Sequence, residues 1–263
     1  MNERVNDAFE WVSVGSREYL ACVPLAERAR HLFSTRQLEL PADPAVRRVN
    51  LDLFASDLGV APSSLVRARQ VHGRAVLVAG EASGSMDLQD ADAIVSDVPG
   101  TACVVQVADC VPILIGSGVR GVEGSARTAV VAAVHAGWRG TAAGIAAEAV
   151  RALVRLGADP STLVAAIGPS IRACCYQVDA RVRDAFAAEP LWPAAEASFA
   201  PDGPDHWRLD VAGINRRLLE DAGLRPDHIF DSGLCTACDL DRFYSYRVEG
   251  AGTGRLVAGI VAS

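Results

Sequence analysis

Three residues in the middle of the chain, His72, Cys110 and His135, have side chains that commonly bind metal ions. Each histidine lies where a strand-like apolar run meets a glycine, and Cys110 lies within the apolar string VADCVPI. Ligands of open α/β sheets gather where strands give way to loops, so these residues can converge although 38 and 25 residues separate them. One thiolate and two imidazoles suit Zn²⁺ and leave its fourth position open, as in catalytic zinc sites.

The same three residues also have a purely structural interpretation. Both histidines can be hydrogen-bonded core or turn residues, and Cys110 can be a small buried apolar side chain, as most buried cysteines are. Separated single ligands form a weak pattern compared with a paired C-x-x-C site. Spacing alone therefore favours the structural interpretation, and the zinc hypothesis needs support from other parts of the chain.

Several charged residues near this constellation are candidates for binding an anionic substrate. Arg139 follows His135 in a turn that leads into a helix, while Arg247 and Arg255 flank the glycine-rich string EGAGTG. Each arginine can instead be solvated or form a structural salt bridge. Asp92 and Asp109 can orient an imidazole or transfer a proton, although Asp92 can equally cap a turn. Our candidate substrate-binding residues are Arg139, Arg247 and Asp92.

The remaining cysteines form a weaker pattern. Cys235 and Cys238 make the one C-x-x-C spacing, which can be half of a zinc site or a redox pair. No second C-x-x-C completes a four-ligand set, and the adjacent pair at 174 and 175 can contribute to one. We favour a packing or incidental role for these cysteines, and we assign Cys22 and Cys103 to the core.

Composition restricts the class of protein. The chain has 263 residues, of which 50% are hydrophobic, enough to bury a substantial core, and we expect a single domain over residues 1–263. No apolar run approaches the roughly 20 residues of a membrane span, and the N-terminus does not resemble a secretory signal. The net charge of −7 argues against nucleic acid as a partner. An odd number of cysteines, seven, in a chain of this size favours a reducing compartment, so we expect a cytoplasmic protein without membrane contact.

The hydrophobic pattern alternates between strands and helices along the chain, which is typical of the α/β class. Near the N-terminus, FEWVSV and EYLACVPL predict a hairpin around Gly15-Ser16. After the hairpin, the pattern predicts strands at 63–72, 74–80, 101–116, 127–137, 162–170 and 255–262. It predicts helices at 49–60, 180–189 and 211–223. A charged connection is predicted at 36–48, and a surface excursion at 189–207. The strand at 101–116 is expected to be buried on both faces, and Thr141 is expected to cap a helix that ends at Gly157.

Six strings, in the order RQVHG, DADAIV, ADCVPILI, VHAGWRGTAAGI, IGPSIRACCYQV and FYSYRVEGAGTGR, resemble the YfiH or laccase-domain family, also called multicopper polyphenol oxidases. The resemblance covers roughly residues 65 to 262. It implies an α/β fold, a single-domain mixed α/β layered sandwich of the CNF1/YfiH-like type. It also implies zinc, with copper as the alternative, bound by His72, Cys110 and His135, which act as the catalytic residues.

The activity implied by this resemblance is that of a zinc-dependent purine nucleoside phosphorylase. Its substrates are adenosine, inosine or guanosine, and methylthioadenosine, together with phosphate, and it also deaminates adenosine. The resemblance further implies a monomer or small homo-oligomer. The chain departs from the family pattern at Leu51 and Val248, where arginines are common. If the first of these arginines binds substrate in the family, either Arg47 or Arg48 replaces it here or the activity is weaker or altered.

Three other functions compete with this one. A copper polyphenol oxidase with four coppers needs about ten histidine ligands, whereas this chain has five histidines. A hydrolase that edits cell-wall precursors can use the same zinc-bound hydroxide. A binding module with a structural zinc is disfavoured because three ligands leave the ion open.

Overall fold

The computed structural model describes residues 3–41, 44–80, 88–118 and 129–262. Its β-strands are β1 Phe9–Val14, β2 Arg17–Cys22, β3 His31–Ser34, β4 Leu65–Val66, β5 Val76–Val78, β6 Ala93–Ser96, β7 Ala102–Val107, β8 Val111–Gly116, β9 Val131–Ala136, β10 Val164–Ile167, β11 Gln177–Asp179, β12 Phe199–Pro201, β13 His206–Leu209, β14 Ile229–Asp231 and β15 Leu256–Val261. Its α-helices are α1 Val23–Ala26, α2 Pro44–Asp57, α3 Trp138–Ala142, α4 Ile145–Arg155, α5 Ala180–Ala187, α6 Trp192–Ala195, α7 Val211–Asp221 and α8 Tyr246–Glu249. None of the helices in these ranges has the length and apolar character needed to cross a membrane.

Two six-stranded sheets and one three-stranded sheet form the framework. The first sheet has the order β1-β2-β3-β15-β7-β4, and the second has the order β14-β10-β8-β9-β6-β5. Pairing in both is antiparallel except at edges, where β4, β14 and β5 pair in parallel with their neighbours. The small sheet has the order β11-β13-β12. This arrangement confirms the expected mixed α/β layered sandwich.

The central strands are buried on both faces because each sheet packs against the other and against helices. In β9, Val131 and Ala133 belong to the cluster between the two large sheets, whereas Ala132 and Val134 pack with α4 and α7. The outer face of the first sheet packs against α2 through a third cluster that includes Phe54. The order of layers is therefore helix, sheet, sheet, helices.

The prediction of one strand over residues 101–116 is wrong. The chain forms β7 and β8, which belong to different sheets and are separated by a turn at residues 108–110. Asp109 in this turn has a φ of +82°, a left-handed conformation that ends the extended chain. Both strands are apolar on both faces, so the hydrophobic pattern continues across the turn and conceals it.

Thr141 does not cap a helix. Gly137 precedes α3 and Gly144 precedes α4, while Thr141 lies buried inside α3 and its hydroxyl accepts a hydrogen bond from Asn215 at 2.8 Å. The glycine at 144 has a φ of +81°, which lets the chain turn between two consecutive helices. Because the hydroxyl bonds to α7 rather than to its own helix, tertiary packing overrides the capping preference of threonine.

Three other boundaries differ from the predictions. The strand predicted at 63–72 is reduced to β4. The helix predicted from residue 49 already begins at Pro44, within the predicted charged connection. Residues 42 and 43 of that connection lie outside the described ranges. The segment at 189–207 is not merely a surface excursion, since it contains α6 and β12 and buries Ala195 and Phe199. Residues 127 and 128 of the predicted strand at 127–137 also lie outside the described ranges. The N-terminal hairpin and the helices near 180 and 211 form as predicted.

Candidate metal centre

His72, Cys110 and His135 come together from three separate segments of the chain. His72 lies in the loop before β5, Cys110 immediately precedes β8, and His135 is part of β9. Their ligand atoms all lie within 4.8 Å of one another, and the two imidazole rings meet edge to face at 80° with centroids 4.8 Å apart. Exposure decreases from His72, which is exposed, through Cys110 to His135, which is 3% exposed. The group therefore has one side in the protein and one side open to solvent.

Strand pairing and two left-handed residues place these side chains. The antiparallel pairing of β8 with β9 sets Pro112 opposite His135, so Cys110 lies close to the end of β9 that carries His135. His72 has a φ of +60°, and Asp109, next to Cys110, has a φ of +82°. Non-glycine residues adopt such angles rarely, and they cluster at functional sites.

Asp92 forms hydrogen bonds with both of the segments that carry the histidines. Its carboxylate accepts a hydrogen bond from Nδ1 of His135 at 2.8 Å and from the backbone N–H groups of Val71, His72 and Gly73 at 3.2, 2.9 and 2.6 Å. Because Nδ1 of His135 is engaged, Nε2 remains for a ligand. Asp92 is 1% exposed and does not line the adjacent cavity, which suits orientation of His135 better than contact with a substrate.

Gly137 gives the three side chains room to meet. A Cβ atom at this position would lie 2.9 Å from Cδ2 of His72 and 3.1 Å from Sγ of Cys110. The first distance is shorter than real Cβ contacts allow, so a side chain at this position would push His72 away from Cys110 and His135. A glycine is therefore required where β9 leads into α3.

The electrostatic environment favours a thiolate at Cys110. Burial alone would raise its pKa, but the positive charge of His135, with hydrogen bonds from both imidazoles, lowers it to about 6. Burial would lower the pKa of His135, but the charge of Cys110 and the hydrogen bond to Asp92 raise it to about 9. The pKa of Asp92 is below its usual value because the hydrogen bonds from His135 and from backbone N–H groups outweigh burial. The metal-free group is thus an ion pair at neutral pH, ready to exchange the imidazolium proton for a cation.

The donors of this group fit a single transition-metal ion. A soft thiolate and two imidazoles are ligands for zinc and copper, and Asp92 provides the buried carboxylate partner that metal-bound histidines usually have. Three donors from the protein leave room for a further ligand on the solvent side. A cluster of several coppers would need more histidines than the chain has, and His31 is a buried residue of β3 that is not part of this group.

A cavity of about 750 Å³ opens in front of the three ligands, within the range of small-molecule sites. Its wall contains Cys110, His72 and His135, and a group of arginines: Arg47, Arg67, Arg69, Arg139 and Arg255. Arg139, predicted to bind substrate, lies in this wall with its guanidinium 4.2 Å from the centre of the Trp138 ring. Such a concentration of cations in an acidic protein favours an anionic ligand.

Arg247, also predicted to bind substrate, is placed differently. Its guanidinium lies over the ring of Tyr176 at 5.0 Å and donates to the carbonyl of Gln177, and it is not part of the cavity wall. Its backbone N–H donates to Asp109 at 2.7 Å, so the residue fixes the segment before Cys110. Arg255 does reach the cavity, and it donates to the carbonyl groups of Thr253 and Gly254.

Sequence reasoning missed Arg67 and Arg69. They precede His72 in the string RARQVH, where their alternation with alanine and glutamine was a signal that both point to one side of an extended segment. Of the two replacements considered for the arginine missing at Leu51, Arg47 lines the cavity whereas Arg48 is exposed elsewhere on α2. Val248 is exposed and also lies outside the cavity wall.

Comparison with known proteins identifies the family. The family profile described as multi-copper polyphenol oxidoreductase laccase matches residues 38–263. A purine nucleoside phosphorylase of Streptomyces coelicolor is 39% identical over 215 residues, which are 81% of this chain and 81% of that protein. An adenosine deaminase from an unknown prokaryotic organism is 33% identical over 226 residues, or 83% of each. A hypothetical protein YfiH of Bacillus licheniformis has a crystal structure that superimposes with a TM-score of 0.85 at 27% identity, over 97% of this chain and 99% of that one. The chain therefore belongs to the YfiH family of laccase-like domains.

Proposed function

We propose that this chain is a zinc-dependent purine nucleoside phosphorylase that also deaminates adenosine. The observation that carries the proposal is the position of the thiolate and two imidazoles in the wall of a cavity that also contains several arginines. Relatives named purine nucleoside phosphorylase and adenosine deaminase support the same reaction classes. Zinc is preferred to copper because a mononuclear site with an open position needs no change of oxidation state for either reaction.

The cavity offers separate binding surfaces for the phosphate and for the purine of a nucleoside. Arg67 is half-buried, forms no hydrogen bond or ion pair with any described residue, and lines the cavity. Burial and the positive charges of Arg47 and Arg48 lower its pKa and outweigh the opposing charge of Asp52, so the local excess of positive charge would stabilise an anion beside it. Tyr246 and Leu88, on the wall of the same cavity, offer apolar surface to a purine.

In the phosphorolysis, a phosphate oxygen forms a bond to C1′ of the ribose while the bond between C1′ and the purine nitrogen breaks. The products are ribose 1-phosphate, or its 5′-methylthio derivative when the substrate is methylthioadenosine, and the free purine, whose nitrogen takes up a proton released from the attacking phosphate. In the deamination, the oxygen of water adds to C6 and ammonia leaves. Arg67 and Arg139 orient the phosphate, Cys110 and the two histidines hold the metal, and Asp92 keeps His135 in its ligating orientation. When bound, zinc supplies Lewis acidity at this end of the cavity.

The test is to incubate zinc-loaded protein with adenosine, inosine, guanosine or methylthioadenosine, with and without phosphate, and to follow the products by chromatography. We expect phosphate-dependent release of free purine from each nucleoside, and phosphate-independent conversion of adenosine to inosine. Absence of all products from zinc-loaded protein would reject the proposal. Release of an amino acid from a cell-wall precursor, or oxidation of a phenol with an accompanying blue-copper band, would favour a competing function instead.

The variant Cys110→Ala should abolish turnover in both reactions and remove the metal from this site, since two neutral imidazoles alone bind zinc weakly. Zinc content and circular dichroism are measured beside activity, to separate loss of metal from loss of fold. Cys103→Ala, which removes a buried thiol from the apolar core, is the matched control and should keep full activity. Unchanged turnover of Cys110→Ala at unchanged zinc content would show that Cys110 is not a ligand.

A further inference from the structure

Four cysteines outside the candidate metal centre lie together at the surface. Cys174 and Cys175 belong to the segment after β10, and Cys235 and Cys238 to the segment after β14, the parallel neighbour of β10. All four Sγ atoms lie within 4.8 Å of one another. Sequence spacing favoured an incidental role for these residues, but the fold brings both pairs to a single point.

Of the six distances between the four sulfurs, two are close to the edge of a tetrahedron around one metal ion and a third is shorter. Sγ of Cys174 lies 3.7 Å from that of Cys175 and 3.7 Å from that of Cys238, and Cys175 and Cys238 are 3.3 Å apart. A zinc–sulfur bond of about 2.3 Å gives sulfur separations of about 3.8 Å in a tetrahedral site. A disulfide requires sulfurs about 2.05 Å apart.

The surroundings of Cys235 provide independent support for a ligand set. Its Sγ is buried and accepts a hydrogen bond from the backbone N–H of Arg172 at 3.4 Å. N–H donors of this kind stabilise a thiolate more than a neutral thiol. The other three sulfurs are partly or fully exposed, so an ion can enter from solvent.

The two cysteine-bearing segments are also joined by the main chain. Ser170 pairs with Cys235 in a parallel bridge, in which the backbone N–H of Thr236 donates to the carbonyl of Ser170 at 3.1 Å. The hydroxyl of Thr236 donates to the carboxylate of Asp109 at 2.6 Å, and the backbone N–H of Ile171 donates to the carbonyl of Asp109 at 2.9 Å. Both segments thus hold the residue that precedes Cys110.

We propose that Cys174, Cys175, Cys235 and Cys238 form a second, structural zinc site with four thiolate ligands. A closed set of four sulfurs leaves no position for a substrate, so the ion would act as a cross-link between the two segments. Through Thr236 and Ile171, this cross-link supports the turn that places Cys110. The inference concerns residues outside the cavity and does not depend on the proposed enzymatic activity.

Metal content and spectroscopy test this site directly. Protein is produced with zinc in the medium, purified under reducing conditions, and analysed by mass spectrometry for zinc per chain. Cys110→Ala should retain about one equivalent of zinc, and Cys174→Ser/Cys238→Ser should lose about one equivalent relative to the unaltered chain. Cys103→Ala, the control thiol, should leave the zinc content unchanged. Zinc-free Cys110→Ala protein would overturn the proposal.

Cobalt substitution identifies the donors by a signal other than zinc content. Co²⁺ added to metal-free Cys110→Ala protein should give intense visible bands and a strong thiolate-to-metal band in the near ultraviolet, both typical of tetrahedral sulfur coordination. Both signals should be lost in the same protein carrying Cys174→Ser/Cys238→Ser. Weak pink octahedral spectra would contradict a thiolate site. Formation of a disulfide between Cys175 and Cys238 in zinc-treated protein exposed to oxidised glutathione, which is reduced in the exchange, would show instead that these cysteines are a redox pair.

Discussion

One buried carboxylate, Asp92, connects the two histidines of the candidate metal centre. It binds the side chain of His135 and the backbone around His72, so a single residue sets the orientation of one ligand and the path of the loop that carries the other. Its low pKa keeps the carboxylate ionised at neutral pH, so both of its oxygens can accept hydrogen bonds from His135 and from the three backbone N–H groups. Asp92 is therefore a positioning residue for both ligands.

Asp92→Asn should weaken zinc binding and turnover by about 10- to 100-fold, as loss of an orienting carboxylate commonly does. The amide has one acceptor oxygen where the carboxylate has two, so at least one of the N–H groups now bound loses its partner. Zinc affinity is measured by competition with a chromophoric chelator, and turnover with adenosine. Asp97→Asn, at an exposed position, is the control. Equal zinc affinities for the two variants would contradict the role of Asp92.

Arg67 lines the cavity and forms no hydrogen bond or ion pair with any described residue. Arg67→Gln should raise the KM for phosphate by about 10- to 100-fold, since a charge-assisted hydrogen bond contributes roughly 1.5–3 kcal/mol. The phosphate-independent deamination of adenosine should change much less, because it needs no anion in that place. Arg48→Gln removes a nearby exposed charge on α2 without altering the cavity wall, and should leave both reactions nearly unchanged. An equal loss of both reactions in Arg67→Gln would show that Arg67 acts on the fold or on the nucleoside rather than on phosphate.

At the scale of elements, α2 packs against the first sheet opposite a glycine in one of its strands. Gly259 in β15 faces Phe54, and a Cβ atom there would lie 2.6 Å from Cε1 of Phe54 and 3.0 Å from Cδ1 of Leu58. Phe54 in α2 and Leu58 just after the helix are both buried, so neither side chain can turn away into solvent. The close approach of helix and sheet depends on this glycine.

Gly259→Ala should destabilise the protein by about 1–3 kcal/mol, since overfilling a packed interface forces α2 away from the sheet. Urea unfolding followed by circular dichroism measures the change in the free energy of unfolding. Gly252→Ala provides the control, because a Cβ atom at that position meets nothing within 4 Å. A Gly259→Ala protein as stable as the control would mean that α2 can shift without loss of packing.

At the scale of the whole molecule, one core histidine makes global stability depend on pH. His31 is 4% exposed, accepts a hydrogen bond from the backbone N–H of Cys22 at Nε2, and donates from Nδ1 to the carbonyl of Ala29. Burial lowers its pKa from 6.5 to about 4. Protonation would set a second N–H donor against the N–H of Cys22, so the folded state holds the neutral ring.

The contribution of His31 to stability should be complete above about pH 6.5 and should fall as the pH falls toward 4. In this interval the unfolded chain binds a proton that the folded chain does not, so acid favours unfolding by up to about 3 kcal/mol. The free energy of unfolding in urea is measured at pH 7, 6 and 5 for the natural chain and for His31→Gln. The variant lacks the titrating ring, and its stability should fall less over this range. Parallel pH profiles for both proteins would rule out the effect.

The sequence alone carried much of the local structure and the chemistry of the site. Apolar runs predicted the N-terminal hairpin, both later helices near 180 and 211, and most strands of the two large sheets, but not β3, β6 or β14. Residue types selected His72, Cys110 and His135 as metal donors, and six ordered strings identified the family. Such features depend on neighbouring residues, whose periodicity and chemistry are readable without knowledge of the fold.

Tertiary structure decided which of these residues meet. The left-handed turn at Asp109 sends β7 and β8 into different sheets, although both strands have the same apolar character, and this turn places Cys110. Arg67 enters the cavity, Arg247 does not, and Cys174 and Cys238 become neighbours across 64 residues. Hydrophobic patterns report that a residue is buried but not against which layer, so contacts between distant segments are fixed only when the strands pair.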